Sequence, residues 1–100
     1  MPTILVTGAA GGIGTMLRSR LARPGRLLRL LDTGPVDSPG PGEEAVTASV
    51  TDMAAMTEAC HGADAVIHLG AIPREAPWDR VLDVNINGTY MVFEAARRDF

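Results

Sequence analysis

The sequence contains no lysine, a single cysteine and no long apolar run, and each of these absences excludes something. All nine basic residues are arginines, and twelve acidic residues leave a formal net charge of −3. With no surplus of positive groups to follow a phosphate backbone, nucleic acid is not an expected partner. The lone Cys60 cannot form an internal disulfide, which fits a reducing cytoplasm.

Membrane and metal-binding signals are missing as well. No stretch approaches the ~18 consecutive apolar residues of a membrane-spanning helix, and the start of the chain lacks the pattern of a cleaved signal peptide. No group of histidine, cysteine and carboxylate residues has the spacing of metal ligands. We therefore expect a cytoplasmic protein with no membrane partner and no metal site.

Short apolar runs alternate with helical patterns along the chain. Apolar runs of this length are typical of strands buried on both faces of a sheet. Strands are predicted over residues 4–7, 27–31, 45–50 and 65–69. Helices are predicted from residue 13 to the Pro24–Gly25 pair, over 53–60, and from 78 to about 98. This order predicts an α/β fold with a parallel sheet and right-handed crossovers, in one domain over residues 1–100.

Glycines follow the first predicted strand and open the first predicted helix, in the stretch TGAAGGIG. They let the backbone approach a pyrophosphate, toward which the N–H groups of the first helical turn point. The spacing is G-x-x-G-x-x-G, through Gly8, Gly11 and Gly14. Asp32 ends the next strand, eighteen positions after Gly14, where a carboxylate accepts hydrogen bonds from an adenosine ribose and repels a 2′-phosphate. This combination favours NAD over NADP.

The loop resembles the TGxxGxxG motif of the extended short-chain dehydrogenase/reductase family, the NAD-dependent epimerase/dehydratases. ADAVIHLGA (63–71) is similar to the fourth strand of that family, and NINGTYMVFEAARR (85–98) resembles its N-x-x-G-T helix. Within the family these segments look most like uronate dehydrogenases. The resemblance implies a Rossmann-type doubly wound parallel sheet, of which this chain holds the N-terminal portion of about four strands and three helices.

The resemblance also implies the residues that contact NAD. Leu69, Gly70 and Ala71 line its ribose and phosphates, and Asn85 has a supporting role near the catalytic site, although a purely structural amide there is equally consistent with the sequence. The family often has an acidic residue and an aliphatic one after the third strand, whereas Ser49 and Val50 stand here. The predicted cofactor contacts are therefore Gly8, Gly11, Gly12, Ile13, Gly14, Asp32, Ser49, Val50, Leu69, Gly70 and Ala71.

The catalytic pair of the family is absent from this chain. The family uses a tyrosine with a lysine four residues later, but the sole tyrosine, Tyr90, is followed at that spacing by Glu94. We expect these 100 residues to be the inactive N-terminal part of a longer, homo-oligomeric NAD-dependent enzyme that oxidises a hexuronic acid to its aldarolactone. The alternatives are a nucleotide-sugar epimerase or dehydratase, and a non-catalytic NAD-binding module.

Five further residues carry expectations. His68 is interpreted as a hydrogen-bonded core histidine, and Gly88 as a position of close helix packing. Trp78 is expected to anchor the last helix. Arg80, like Arg74, flanks the loop after the fourth strand; both are interpreted as solvated side chains, with contact to an anionic substrate as the alternative.

Overall fold

The computed structural model describes residues 2–100 and shows a parallel sheet of four strands. The strands are β1 (Thr3–Thr7), β2 (Leu27–Asp32), β3 (Glu43–Thr47) and β4 (Ala65–His68). Their order across the sheet is β3-β2-β1-β4. The chain thus adds strands in one direction from β1 and then returns to the other side of β1. Such a reversal opens a crevice at the carboxyl ends of β1 and β4, where open α/β sheets bind ligands.

Helices cover both faces of the sheet. They are α1 (Gly12–Leu21), α2 (Met53–Cys60), α3 (Trp78–Val81) and α4 (Gly88–Asp99), with a π-helical segment (Leu82–Asn87) between α3 and α4. The last three run on without a break, so they form the single third helix that the sequence predicts. The predicted Rossmann-type doubly wound arrangement is confirmed.

Alternate residues of the buried strands face two separate cores, as the two-residue period of a strand requires. Leu5 and Leu31 pack with α2 and α4, among Met56, Cys60 and Val92. On the opposite face, the second core joins the sheet to α1 and to the loop after β2; it contains Val6, Ala9, Leu28 and Leu30.

The third strand lies elsewhere than predicted. It begins at Glu43 rather than at residue 45, because its two acidic residues are paired: Glu43 with Arg18 of α1, and Glu44 with Arg29 of β2. It also ends at Thr47, three residues before the predicted end. Because the first two residues of β3 are charged, the apolar pattern of the sequence did not indicate them as part of the strand.

One expectation about an apolar side chain is wrong in the described structure: Trp78 does not anchor the last helix, since 67% of it is exposed. At the other end of the chain, 60% of Ile13 is exposed, and the residue of α1 that is buried is Gly14. Helix α1 approaches the sheet through a glycine, because a larger residue would strike the preceding loop.

Candidate functional site

The glycine loop turns sharply between β1 and α1. Gly8 has a φ of +71°, and a Cβ there would lie 2.7 Å from the carbonyl carbon of Leu69. A Cβ on Gly14 would lie 2.6 Å from the carbonyl oxygen of Gly8. No side chain fits at either position without moving backbone atoms. The glycine spacing is therefore required by the close contact of the loop with α1 and with the segment after β4.

Helix α1 begins inside this loop. Gly11 donates a backbone hydrogen bond to the Gly8 carbonyl, and Thr15 donates one to the Gly11 carbonyl. Between them, the N–H groups of Gly12, Ile13 and Gly14 take no acceptor within residues 2–100. Unpaired N–H groups at a helix start are the donors that bind an anion in dinucleotide sites.

Asp32 ends β2 beside the loop. Its Oδ2 accepts a hydrogen bond from the backbone N–H of Ala10 at 2.9 Å, and its Oδ1 accepts one from Gly34 at 3.0 Å. A carboxylate has about four lone-pair positions, so each oxygen keeps capacity for a further donor. Asp32 is thus able to hold the loop and to accept ribose hydroxyl groups at the same time.

Two adjoining recesses lie at the carboxyl edge of the sheet, and together they contain all eleven predicted cofactor contacts. The loop-side recess is lined by Gly8, Gly11, Gly12, Ile13, Gly14, Asp32, Leu69, Gly70, Ala71 and Pro73. The second, which we call the β3-side recess, has a volume of about 220 Å³ and includes Asp32, Ser49, Val50, Gly70 and Ala71. Gly8, Asp32, Gly70 and Ala71 line both. The sequence positions are therefore brought together along one continuous surface.

Ser49 and Val50 reach the β3-side recess from the turn after β3. Ser49 Oγ lies 2.6 Å from Thr51 Oγ1 and accepts a hydrogen bond from the Thr51 N–H at 3.1 Å. Val50 packs between two glycines. A Cβ added to Gly70 would lie 3.1 Å from Val50 Cγ1, and a Cβ added to Gly88 would lie 2.6 Å from Val50 Cγ2. Close packing at Gly88 is thus confirmed.

Asn85 stands beside the site rather than in it. Its side-chain amide accepts a hydrogen bond from the N–H of Ile72 at 2.7 Å and donates one to the Ile72 carbonyl at 3.0 Å. Ile72 lines the β3-side recess. Asn85 therefore holds the loop after β4 in place from the π-helical segment, which supports the structural interpretation of this amide.

Thr7 and His68 support the site from the ends of β1 and β4. A role was predicted from the sequence for His68 but not for Thr7. Thr7 is fully buried at the end of β1, and its Oγ1 lies 2.6 Å from Nδ1 of His68. The expected hydrogen bonding of His68 is confirmed, but its side chain is half-buried rather than part of either core. Burial lowers the pKa of its imidazole. A polar residue at the end of an otherwise apolar strand was the signal that could have identified Thr7.

The remaining candidate residues differ in whether they line one of the two recesses. Arg80 lines the β3-side recess, a contact that sequence reasoning did not assign, whereas Arg74 lines neither recess. Tyr90 is 65% exposed on α4 and also lies outside both. Glu94 pairs with Arg97 and Arg98, which lower its pKa to about 2.

Residues 2–100 contain no cluster of histidine, cysteine and carboxylate groups able to hold a metal ion. Within the same range, no helix is long and apolar enough to cross a membrane.

Comparison with known proteins gives a consistent result. The sequence profile of the NAD dependent epimerase/dehydratase family matches residues 4–99. A uronate dehydrogenase of Pseudomonas putida is 43% identical over 96 residues, which are 95% of this chain and 36% of that protein. An L-arabinose 1-dehydrogenase (NAD(P)(+)) of Haloferax volcanii is 43% identical over 98 residues, 96% of this chain and 36% of that protein.

The fold has a close match among solved structures. A variant of the uronate dehydrogenase from Agrobacterium tumefaciens, crystallised in complex with NAD, superposes with a TM-score of 0.90 at 44% identity. The match covers 98% of this chain and 37% of that one. The present chain thus spans little more than a third of the length of these relatives.

Proposed function

This chain belongs to the NAD dependent epimerase/dehydratase family, and from that premise we propose that it is the cofactor-binding part of an NAD-dependent dehydrogenase of the extended short-chain type. One observation carries the proposal: two adjoining recesses are lined by every residue at which the sequence predicts a cofactor contact. NAD supplies the carbon that accepts hydride from the substrate alcohol.

The residues of the recesses fit the parts of a dinucleotide. Gly11, Gly12 and Gly14 border the loop-side recess without side chains, and the first N–H groups of α1 face a pyrophosphate there. Asp32 lies where the two recesses meet and accepts the hydroxyl groups of the adenosine ribose.

The β3-side recess then takes the adenine ring. Ser49 and Val50 border it from the turn after β3, and Gly70 and Ala71 form the surface shared by both recesses. A negative charge at Asp32 repels a 2′-phosphate, which makes NAD the preferred cofactor.

Proton transfer requires groups that this chain does not contain. Oxidation of an alcohol needs a base for the hydroxyl proton, and a tyrosine acts as that base at neutral pH only when its pKa is lowered. The chain has no lysine, and its one tyrosine lies outside both recesses. We therefore propose that these 100 residues bind the cofactor without turning over substrate, and that the base belongs to further residues of a longer enzyme.

A hexuronic acid, oxidised to its aldarolactone, is the proposed substrate. It is supported by the uronate dehydrogenases among the relatives. The Haloferax volcanii protein, however, is named for a neutral pentose at the same 43% identity, so this part of the chain is compatible with more than one sugar. Assaying the full-length protein with glucuronate, galacturonate and L-arabinose, by NADH absorbance, decides between them.

Two further features of the full-length enzyme belong to the same proposal. We assign it to the cytoplasm, because Cys60 is a free thiol. We also propose a homo-oligomer. Exposed apolar residues follow one another at helical spacing on α3, the π-helical segment and α4, at Trp78, Leu82, Ile86, Tyr90 and Phe93. Light scattering of the full-length protein, with and without Ile86→Glu, tests whether this face joins two copies.

Gly12→Ala gives a direct test of the cofactor site. A Cβ at Gly12 meets no atom within 4 Å, so the variant is expected to fold as stably as the parent. Because Gly12 lines the loop-side recess, the added methyl group takes up space that a pyrophosphate needs, and we expect NAD to bind about 10- to 100-fold more weakly. Ser19→Ala, on the same helix but outside the recess, is the matched control. Equal NAD affinity in Gly12→Ala and the parent would remove the pyrophosphate assignment.

A further inference from the structure

The imidazole of His68 connects three elements around the predicted cofactor site. Its Nδ1 lies 2.6 Å from Thr7 Oγ1 at the end of β1, and its Nε2 lies 3.1 Å from Thr89 Oγ1 on α4. The hydroxyl of Thr89 in turn donates to the backbone carbonyl of Asn85 at 2.6 Å. The proposed function gives none of these groups a role.

The hydroxyl of Thr89 fixes the direction of each hydrogen bond. Its single hydrogen goes to the Asn85 carbonyl, so its oxygen accepts the hydrogen of His68 Nε2. The neutral ring carries only one N–H hydrogen, so Nδ1 is bare and accepts the hydroxyl hydrogen of Thr7. Thr7 Oγ1 in turn accepts the N–H of Gly70 at 3.0 Å.

Both ends of this hydrogen-bond chain touch the β3-side recess. At one end Thr7 fixes the N–H of Gly70, which lines both recesses. At the other end is Asn85, whose amide holds the N–H and the carbonyl of Ile72. Ile72 lines the same recess.

We infer that His68 is a positioning residue of the cofactor site. As the neutral Nε2–H tautomer, it sets the distance between Gly70 and the loop that contains Ile72, through its hydrogen bonds to Thr7 and Thr89. The inference of an effect on NAD rests on the proposed function, whereas the tautomer and the connection to Thr89 do not.

Protonation of the His68 imidazole breaks this series of hydrogen bonds at Nδ1. A hydrogen on Nδ1 points at Thr7 Oγ1, so the hydroxyl hydrogen of Thr7 loses Nδ1 as its acceptor. The groups that face the ring are the hydroxyl of Thr7 from β1 and that of Thr89 from α4, and neither is charged. Burial alone accounts for the low pKa of the imidazole among the described residues.

The tautomer is tested on the protein labelled with ¹⁵N in histidine. We expect the NMR spectrum at pH 7 to show a bare Nδ1 and a protonated Nε2 at His68, and Thr89→Val to change these resonances. His61, which is exposed and lies at the end of α2, is the internal control. A proton on Nδ1, or a charged ring at pH 7, overturns the inference.

The effect on the site is tested by NAD titration of the full-length protein. Thr89→Val removes both hydrogen bonds of the hydroxyl while keeping the side-chain shape, and we expect about three- to tenfold weaker NAD binding. Thr89→Ser keeps the hydroxyl and should restore the affinity.

A pH series separates positioning from a general structural role. Because the pKa of His68 is lowered from the ordinary 6.5, its protonation belongs to the range below that pH. As the pH falls below 6.5 the affinity of the parent for NAD should fall, that of His68→Asn should stay level, and His61→Gln should behave as the parent. Parent-like affinity in Thr89→Val, or an equal pH response in His68→Asn and the parent, overturns the positioning role. If the parent itself fails to bind NAD, the proposed function fails, while the NMR result still decides the tautomer.

Discussion

Oδ2 of Asp32 lies 2.9 Å from the backbone nitrogen of Ala10, so the last residue of β2 holds the glycine loop that follows β1. The carboxylate was predicted from its sequence position as a ribose contact. The structure adds a second hydrogen bond, from Gly34, which ties the same side chain to the start of the next loop. Asp32 therefore organises the site before any ligand arrives.

Substitution of Asp32 is expected to separate these two roles. Asp32→Ala removes the acceptor of both backbone N–H groups, and should lower the free energy of unfolding by about 1 kcal/mol as well as weaken NAD binding. Asp32→Asn keeps an amide oxygen for the loop but loses the charge. We expect near-parental stability, roughly tenfold weaker NAD binding, and reduced discrimination against NADP.

Urea unfolding and titration with both cofactors check this prediction. Asp37→Asn, an exposed carboxylate in the following loop, serves as the control. An unchanged preference between NAD and NADP in Asp32→Asn would exclude the ribose role.

Gly88→Ala should destabilise the protein although alanine is the better helix former by about 1 kcal/mol. The new Cβ would lie 2.6 Å from Val50 Cγ2, and overpacking of this kind costs about 1–3 kcal/mol. Combining it with Val50→Ala removes the obstructing methyl group, so the double variant should be more stable than the sum of the single effects predicts. Additive effects in urea unfolding would show that the contact is not responsible.

Acid should weaken the pairing of α1 with β3. Arg18 Nη2 lies 2.7 Å from Glu43 Oε1, and this hydrogen-bonded pair lowers the pKa of Glu43 below its ordinary value of 4.5. Because the unfolded chain binds this proton more tightly, the stability contributed by Glu43 is full above that value and is lost as the pH falls through the folded-state pKa.

Glu43→Gln is therefore expected to lower the free energy of unfolding by about 1–2 kcal/mol at pH 7 and by much less near pH 3. The neighbouring Glu44, with 46% of its side chain exposed, pairs with Arg29 and gives a matched control. Glu44→Gln should cost under about 1 kcal/mol. A Glu43→Gln deficit that does not shrink in acid would contradict the assignment.

Arg80 and Arg74 are expected to differ in their effect on NAD. The Arg80 side chain lines the recess proposed for adenine, and a guanidinium over an aromatic ring contributes about 0.5–1 kcal/mol at exposed sites. Arg80→Ala should weaken NAD binding about two- to fivefold, and Arg74→Ala should leave it unchanged. Nicotinamide mononucleotide, which lacks the adenosine, should bind both variants as it binds the parent. Equal affinities for NAD across all three proteins would show that Arg80 does not touch the ring.

The sequence by itself determined much of the fold and of the site, because the features that indicate them are local. Glycine spacing after an apolar run, and an acid at the end of the next run, are short-range features, because they depend on backbone geometry within one strand–helix–strand unit. They were enough to predict the parallel sheet and the loop, and to place Asp32 beside it.

Contacts between distant segments were decided by the tertiary structure alone. Val50 fits between Gly70 and Gly88, and His68 joins Thr7 to Thr89, because β1, β4 and α4 converge at one edge of the sheet. The start of β3 depended on an ion pair reaching back to α1. Such pairs leave no periodic signal, since each partner alone is an ordinary polar or small residue. The sequence determined which groups line the two recesses, and only the packing of the strands and helices decided how those groups are held.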